Sequence, residues 1–179
     1  MDWPGSQRRV QQLVESFYVP LYRYAYRLSG SAADAEDLTQ EAFCKAQMQL
    51  RQLRDPGKAK AWLFSILRNA YLHRRRADQQ HACVSLNGVA DLAGPTAEPA
   101  AEVDPERLQQ ALNELPETFR TPVILFYFED FSYRDIAEQM DVPIGTVMSR
   151  LARAKAHLRA RLSADSAEHS LPRGTPHGL

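Results

Sequence analysis

The sequence predicts an all-α protein made of two small helical domains joined by a flexible acidic linker, the C-terminal domain being a helix-turn-helix. Apolar residues recur at helical spacing on both sides of residues 78–103, but that stretch is rich in Pro, Gly and Ala and contains no Lys or Arg. A length of 179 residues also suits two small domains. We expect a flexible N-terminus (1–9), an N-terminal domain (10–77), the linker (78–103), a C-terminal domain (104–163) and a disordered tail (164–179).

The composition excludes several classes of protein. The 22 basic and 22 acidic side chains cancel, but they are segregated along the chain, and local charge governs contact with phosphates. The two cysteines, Cys44 and Cys83, form no CxxC or Cys/His cluster, so neither a metal site nor a disulfide scaffold is expected, and Cys44 is expected to pack within a helix. No apolar run approaches the roughly 18 residues of a membrane span, and the N-terminus lacks a signal peptide. We expect a cytoplasmic protein without membrane insertion.

The N-terminal domain opens with a helical pattern from Val10 to Leu28, which Pro20 is expected to kink or split. Ser31 can cap a second helix, which begins with a dense acid cluster. The cluster comprises Asp34, Glu36, Asp37 and Glu41. Acids near a helix N-terminus suit the helix dipole, and this explanation fits the first two better than the last two.

A third helix, from Ala59 to about Arg76, carries an aromatic and cationic stripe on the side opposite its packing face. The stripe consists of Phe64, Arg68, Tyr71 and Arg75, with Asn69 beside it. Cations follow phosphates and aromatic rings stack on unpaired bases, so this outer face is typical of a surface that binds single-stranded nucleic acid. The alternative is a rim aromatic residue followed by a solvated basic helix end.

The C-terminal domain begins at Asp104, a helix cap followed by a proline, and its core is expected at the run VILFYF, in a helix that Pro122 bends. The next helix is announced by Ser132 with Asp135 three residues later. A turn follows at Asp141, which tolerates a left-handed conformation better than most residues, and Pro143 can stand at the start of the last helix.

The last helix has an apolar stripe for packing and an opposite face of small and basic residues. Its charged residues are all cations: Arg150, Arg153, Lys155, Arg159 and Arg161. A helix-turn-helix whose second helix is purely basic is typical of a protein that reads the DNA major groove. A packing unit with a solvated face is the alternative interpretation.

Three stretches of the sequence resemble the bacterial ECF sigma factors, small two-domain sigma subunits of RNA polymerase. They are DAEDLTQEAF in the second helix, AWLFSILRNAYLHRRR in the third, and FSYRDIAEQMDVPIGTVMSRLARAKAHL in the helix-turn-helix. The resemblance implies three sets of site residues. The core polymerase docking set, which would contact the β′ clamp helices, is Asp37, Gln40 and Glu41. The promoter −10 set is Phe64, Arg68, Asn69, Tyr71 and Arg75. The −35 set has Met148, Ser149, Ala152 and Arg153 at base edges and Arg150, Lys155 and Arg159 nearer phosphates.

The resemblance also implies partners: core RNA polymerase, promoter DNA and an anti-sigma factor that holds the two domains in an inactive arrangement, with a free subunit that is monomeric. The linker would either be an inert tether or occupy a basic channel of the polymerase. Because the chain has no GxxxxGK[ST], HExxH or GxSxG motif, we expect no catalytic residue, metal or cofactor. The alternatives are a stand-alone helix-turn-helix regulator and an adaptor that binds polymerase without reading DNA.

Overall fold

In the computed structural model, the described residues are 3–81 and 104–169, with side chains described for 7–77 and 104–163. These residues form seven α-helices and two single 3₁₀ turns, at Leu50–Gln52 and Pro56–Lys58, without a strand. The helices are α1 (Trp3–Ser29), α2 (Ala32–Gln49), α3 (Ala59–His81), α4 (Pro105–Glu114), α5 (Glu117–Tyr127), α6 (Tyr133–Met140) and α7 (Ile144–His169). The predicted all-α fold with a C-terminal helix-turn-helix is confirmed.

Several helix ends lie beyond their predicted positions. The first helix starts at Trp3 rather than Val10, and it runs unbroken through Pro20, contrary to a split at that proline. Pro20 lacks the N–H that would bond the Ser16 carbonyl, but Ser16 is exposed, so water can satisfy that carbonyl. The third helix continues to His81 and the last to His169. The rest of the predicted linker and tail, residues 82–103 and 170–179, lies outside the described residues.

The N-terminal domain packs α1, α2 and α3 around one apolar core. Leu21, Leu28, Leu38, Leu63 and Leu67 are fully or almost fully buried there. Gly30 ends the first helix with a φ of +74°, a conformation that glycine adopts without steric cost. Ser31 then accepts a hydrogen bond from the Asp34 N–H at 3.3 Å, which caps the second helix as expected.

The C-terminal domain is built around the hydrophobic run predicted as its centre. Val123, Ile124 and Leu125 are at most 1 % exposed. Asp104 caps the fourth helix by accepting the Glu106 N–H. Pro122 lies inside α5 as expected.

The turn between α6 and α7 forms as its sequence predicts. Ser132 and Asp135 exchange the two hydrogen bonds of a capping box. Asp141 adopts the left-handed conformation, with φ 53° and ψ 52°, which ends the sixth helix. Pro143 stands just before α7, where its carbonyl accepts the N–H groups of Thr146 and Val147. The turn therefore sets the direction of the last helix through local bonds.

The two domains pack against each other. Residues of both contribute to one continuous apolar cluster, in which the first helix contacts α4 and α5 and the third contacts α6. This arrangement decides which of the predicted functional surfaces remain open.

Candidate nucleic-acid interface

The last helix presents an open face of the predicted composition. Val147, Leu151 and Ala154 turn into the core, while the opposite side is exposed. The exposed predicted residues are Met148, Ser149, Ala152, Arg153, Lys155 and Arg159, and Arg150 is half-buried. Small side chains alternate with long cations, so a groove could approach the helix backbone closely.

The cations of this face differ in how they are held. Glu114 of the fourth helix forms an ion pair with Arg161 and lies 3.7 Å from His157. These contacts join the C-terminal half of the last helix to the fourth helix of the same domain. Arg153, Lys155 and Arg159 form no ion pair within the part of the chain that the structure describes. These three cations are therefore available to phosphates or base edges.

The acidic face of the second helix is partly neutralised from within the domain. Arg74 lies 2.8 Å from Glu41 and 3.7 Å from Asp37, and Lys45 lies 2.7 Å from Glu41. The hydrogen bonds from Lys45 and Arg74 keep the pKa of Glu41 below its ordinary value. Asp37 and Gln40 remain exposed, so they are the more accessible members of the predicted docking set.

The same face includes two residues that the sequence analysis did not place there. Cys44 is exposed, which corrects the expectation that it packs, and Met48 is 76 % exposed. They follow Asp37 and Gln40 at helical spacing, so the signal was present in the periodicity. Cys44 was instead expected to pack, because a free cysteine is among the residues most often buried.

The stripe on the third helix does not face solvent in this structure, contrary to expectation. Phe64 is 0 % and Tyr71 is 6 % exposed, while Arg68 and Arg75 are half-buried and Asn69 is exposed. The Arg75 guanidinium lies 6.0 Å from the Tyr71 ring centroid. Helical spacing correctly placed these residues on one face, but it did not show that another domain covers that face.

Residues of the C-terminal domain cover the stripe by direct contact. The Phe131 ring centroid lies 5.2 Å from that of Phe64. Arg68 donates to a Glu117 carboxylate oxygen at 3.2 Å and to the Gln139 carbonyl at 3.4 Å. The side chains of Arg68 and Glu117 are each only 13 % exposed. Salt and solvent therefore weaken this ion pair less than they weaken an ion pair on the surface.

A lysine adds a further bond between the domains. The Lys60 ammonium donates to the Glu129 carbonyl and lies 5.1 Å from the Phe131 ring centroid. Lys60 precedes Phe64 by one helical turn, so it extends the covered surface along the third helix.

A second group of contacts joins the end of the first helix to the C-terminal domain. Buried Arg120 donates to the carbonyls of Asn113, Leu115 and Leu28 at 2.6 to 2.9 Å, and the last of these lies in the other domain. Burial lowers the pKa of Arg120. The Arg27 guanidinium lies 4.1 Å from the Phe128 ring centroid. Two groups of contacts therefore hold the domains together, one along the third helix and one at the end of the first.

Other kinds of site receive no support among the described residues. No three His, Cys, Asp or Glu side chains there are grouped so that they could hold a metal ion. No helix in those ranges is both long and apolar enough to cross a membrane.

Comparison with known proteins identifies both domains. Residues 13–81 match the family described as Sigma-70 region 2, and residues 106–158 match Sigma-70, region 4. The chain is 35 % identical to the ECF RNA polymerase sigma factor SigE of Mycolicibacterium smegmatis, over 93 % of this chain and 68 % of the relative. It is also 35 % identical to the ECF RNA polymerase sigma factor EcfG of Rhodopseudomonas palustris, over 88 % of this chain and 87 % of the relative.

A solved structure shows the same fold. The sigma factor RpoE from Bartonella quintana, crystallised in complex with the anti-sigma factor NepR, superimposes with a TM-score of 0.71 and 32 % identity. The match covers 87 % of this chain and 97 % of that one.

Two helical domains that match regions 2 and 4, the second with an exposed basic helix, define a protein of the sigma-70 type. The chain belongs to the ECF RNA polymerase sigma factors. It is an alternative sigma factor that directs transcription initiation. The other interpretation of the sequence, a stand-alone helix-turn-helix regulator, is therefore wrong. Sigma factors are non-enzymatic initiation factors.

Proposed function

We propose that this sigma factor docks on the β′ clamp helices of core RNA polymerase through α2, reads the promoter −35 element with α7, and recognises and melts the −10 element with the stripe on α3. The observation that carries the proposal is the open face of the last helix, where small residues and exposed cations lie together. The chemistry of initiation would belong to the polymerase, while this chain supplies the promoter address and strand opening.

The −35 assignment is supported by the exposure of the recognition face. Arg153 can donate two parallel hydrogen bonds to a guanine, and Ser149 and Ala152 leave space for the groove edge. Ser149 donates to the Thr146 carbonyl at 3.0 Å, and its oxygen lone pairs stay available to a base. Arg159, farther along the helix, suits a phosphate contact.

The docking assignment is supported by the exposed polar side chains of the second helix. Asp37 and Gln40 can pair with a cationic partner surface without first losing an internal partner of comparable strength. The 3.7 Å contact of Asp37 with Arg74 is long and exposed. Glu41 differs, because Arg74 and Lys45 already hold it. We infer that Glu41 shapes the docking face by positioning Arg74.

The −10 assignment is supported by residue type and by spacing, and it requires a change of domain arrangement. Phe64 and Tyr71 could stack on unpaired bases only after the C-terminal domain moves away. Arg68 would exchange Glu117 for a phosphate in that step. Asn69 is already exposed.

The regulatory partner is proposed by similarity. The RpoE relative is described in complex with an anti-sigma factor, and the interdomain contacts described above provide an arrangement that such a protein could stabilise. A cytoplasmic location, where the polymerase acts, follows from the same proposal.

The experiment that tests the docking assignment is retention of sigma-free core RNA polymerase by the immobilised protein at moderate salt. The exposed pair Asp37→Ala with Gln40→Ala should abolish retention, whereas Glu36→Ala, which removes another exposed acid of the same helix, should not. Circular dichroism of the variants should show an unchanged helical content, because neither residue of the pair is buried.

If the wild type and the Asp37→Ala, Gln40→Ala double variant retained core RNA polymerase equally, α2 would not be part of the docking surface. If the wild type itself were not retained at any salt while it still bound promoter duplex, the proposed route to the polymerase would be wrong.

A further inference from the structure

We propose that the C-terminal domain of the free subunit acts as an intramolecular competitor of single-stranded promoter DNA, with Phe131 taking the place of a base and Glu117 that of a phosphate. The inference rests on the proposed −10 role of the stripe. It assigns inhibition of strand capture to the chain itself, before any partner binds.

The contacts on the stripe reproduce the chemistry of a nucleotide. The Phe131 ring lies against Phe64 with a centroid distance of 5.2 Å and a tilted interplanar angle of 46°, so it occupies the aromatic surface on which an unstacked base would lie. The Glu117 carboxylate meets the guanidinium of Arg68 through two nitrogens, as a phosphate oxygen would. A base-like ring and a phosphate-like anion therefore occupy neighbouring positions on one helix face.

Interactions within the C-terminal domain hold the Glu117 carboxylate in position for this contact. It is the first residue of α5, where the helix dipole favours a negative charge. Thr121 donates to the same carboxylate oxygen at 2.9 Å. The carboxylate is thus fixed before it meets Arg68, which reduces the conformational entropy lost on contact.

Two side chains next to the covered stripe have polar groups that the closed arrangement leaves unsatisfied. Within the described ranges, the Tyr24 hydroxyl and the Gln139 side-chain amide are buried without a hydrogen-bond partner. The Tyr24 ring stacks on Phe64 at 4.8 Å, so its hydroxyl lies beside the covered stripe. A buried hydroxyl without a partner opposes closure, because water can reach it once the domains separate.

These opposing contributions make the closed arrangement reversible. The ion pair, the aromatic contact and the Lys60 bond favour closure, whereas the unsatisfied Tyr24 and Gln139 groups favour opening. Two variants should therefore shift the equilibrium in opposite directions. Glu117→Gln removes the phosphate-like charge, and Tyr24→Phe removes the unsatisfied hydroxyl while it keeps the ring.

The test measures binding of a fluorescein-labelled single-stranded DNA 12-mer of mixed sequence to the full chain by fluorescence anisotropy. Small-angle X-ray scattering of the same samples reports domain separation. We expect Glu117→Gln to increase the radius of gyration and to tighten DNA binding by about tenfold. Tyr24→Phe should do the reverse, with weaker binding and a radius at or below that of the wild type.

The matched control is Glu106→Gln, which removes one acid from the same domain at an exposed position. It corrects for the general gain in affinity that any lost negative charge gives a DNA binder. Tightening by Glu117→Gln that does not exceed this control, together with an unchanged radius, would overturn the competitor role.

A further variant separates failure of this inference from failure of the −10 assignment. In the Glu117→Gln background, Arg68→Gln should weaken binding of the 12-mer if the stripe is the DNA site. Undiminished binding would refute the −10 assignment, and with it the competitor role. A loss of binding, combined with no difference between Glu117→Gln and the control, would leave the −10 assignment standing and refute only the competitor role.

Discussion

Arg120 shows how much a single side chain contributes to the arrangement of this molecule. It lies in a hydrophobic helix, it is 7 % exposed, and it donates to carbonyls at the end of α4, at Leu115 and in the other domain. Sequence reasoning did not single it out, because an arginine among apolar residues reads as a surface position. Only the fold shows that the guanidinium satisfies carbonyls that two helix ends would otherwise leave unpaired.

Replacing Arg120 by Met is expected to lower the free energy of unfolding by about 1–3 kcal/mol, because the carbonyls of Asn113, Leu115 and Leu28 lose their buried donor. Arg120→Lys should recover little, since one ammonium cannot reproduce the planar fork of donors. Urea denaturation followed by circular dichroism measures the effect. The exposed Arg134→Met serves as control and should stay within about 0.5 kcal/mol of the wild type. A wild-type midpoint for Arg120→Met would show that water replaces the guanidinium.

Substitutions of Arg153 and Arg159 are expected to have different effects, because we assign the first to a base contact and the second to a phosphate contact. Replacing Arg153 by Ala should cost about 1–3 kcal/mol on the preferred −35 sequence and relax selection at one position, whereas Arg159→Ala should weaken all sequences alike. Binding of the reconstituted holoenzyme to a library of −35 variants distinguishes the two. An unchanged −35 preference for Arg153→Ala would remove it from the reading set, and a sequence-selective loss for Arg159→Ala would contradict the phosphate contact.

At the scale of the element, the turn from α6 to α7 was predictable because its determinants are local. Ser132, Asp135 and Asp141 act on backbone groups within a few residues, so their roles follow from the order of residues alone. The same holds for the caps at Ser31 and Asp104. Local bonds fix the recognition helix without help from the other domain.

Replacing Ser132 by Ala is expected to lower the free energy of unfolding by about 1 kcal/mol, because the hydroxyl that accepts the Asp135 N–H is lost. The comparison is Ser149→Ala, a serine whose hydroxyl donates only to a carbonyl inside the last helix, and which should change stability little. Thermal unfolding of both variants gives the difference. Equal melting temperatures would mean that solvent caps the sixth helix as well as Ser132 does.

Asp141 offers a test of the left-handed turn. Glycine has no steric cost at a φ of 53°, so Asp141→Gly should leave stability unchanged or raise it. A β-branched side chain is strained there, and Asp141→Val should cost about 1–2 kcal/mol. Chemical denaturation of the pair checks the order, and a valine variant as stable as the glycine variant would contradict the assigned backbone strain.

The exposure of the stripe on α3 could not be predicted in the same way. Periodicity identified Phe64, Arg68, Tyr71 and Arg75 as one face, but Phe131 and Glu117, which cover that face, lie about fifty or more positions away in the sequence. Contacts between distant segments depend on how whole domains pack, and spacing within one helix carries no information about them. The same limit explains why Cys44 was expected to pack, whereas among the described residues it is exposed.

At the scale of the whole molecule, Glu129 couples the packing of the two domains to pH. Burial raises the pKa of this carboxyl above its ordinary value, although Lys60 of α3 and Arg23 and Arg27 of α1 lower it in part, and Asp130 raises it further. The folded protein therefore retains a proton in a pH range where the unfolded chain has lost it. In that range, the free energy of unfolding falls as pH rises.

Glu129→Gln is expected to remove this slope, because the amide does not titrate. The difference in unfolding free energy between wild type and variant, measured by denaturation at several pH values from the ordinary glutamate pKa upward, isolates Glu129 from other carboxyls. Glu41 has a lowered pKa, so its contribution is lost only as pH falls below the ordinary value. Parallel pH profiles for wild type and variant would show that Glu129 titrates normally.

The unequal exposure of the three proposed surfaces has a consequence for the subunit inside a cell. Stacking on aromatic side chains accepts almost any unpaired base, so an uncovered stripe would bind messenger RNA and other single strands wherever they occur. If the stripe has the proposed −10 role, burial of Phe64 and Tyr71, with Asp37 and the face of Arg153 still exposed, would protect the free subunit from that sequestration. The subunits that reach a polymerase would then arrive with the proposed strand-binding residues unoccupied.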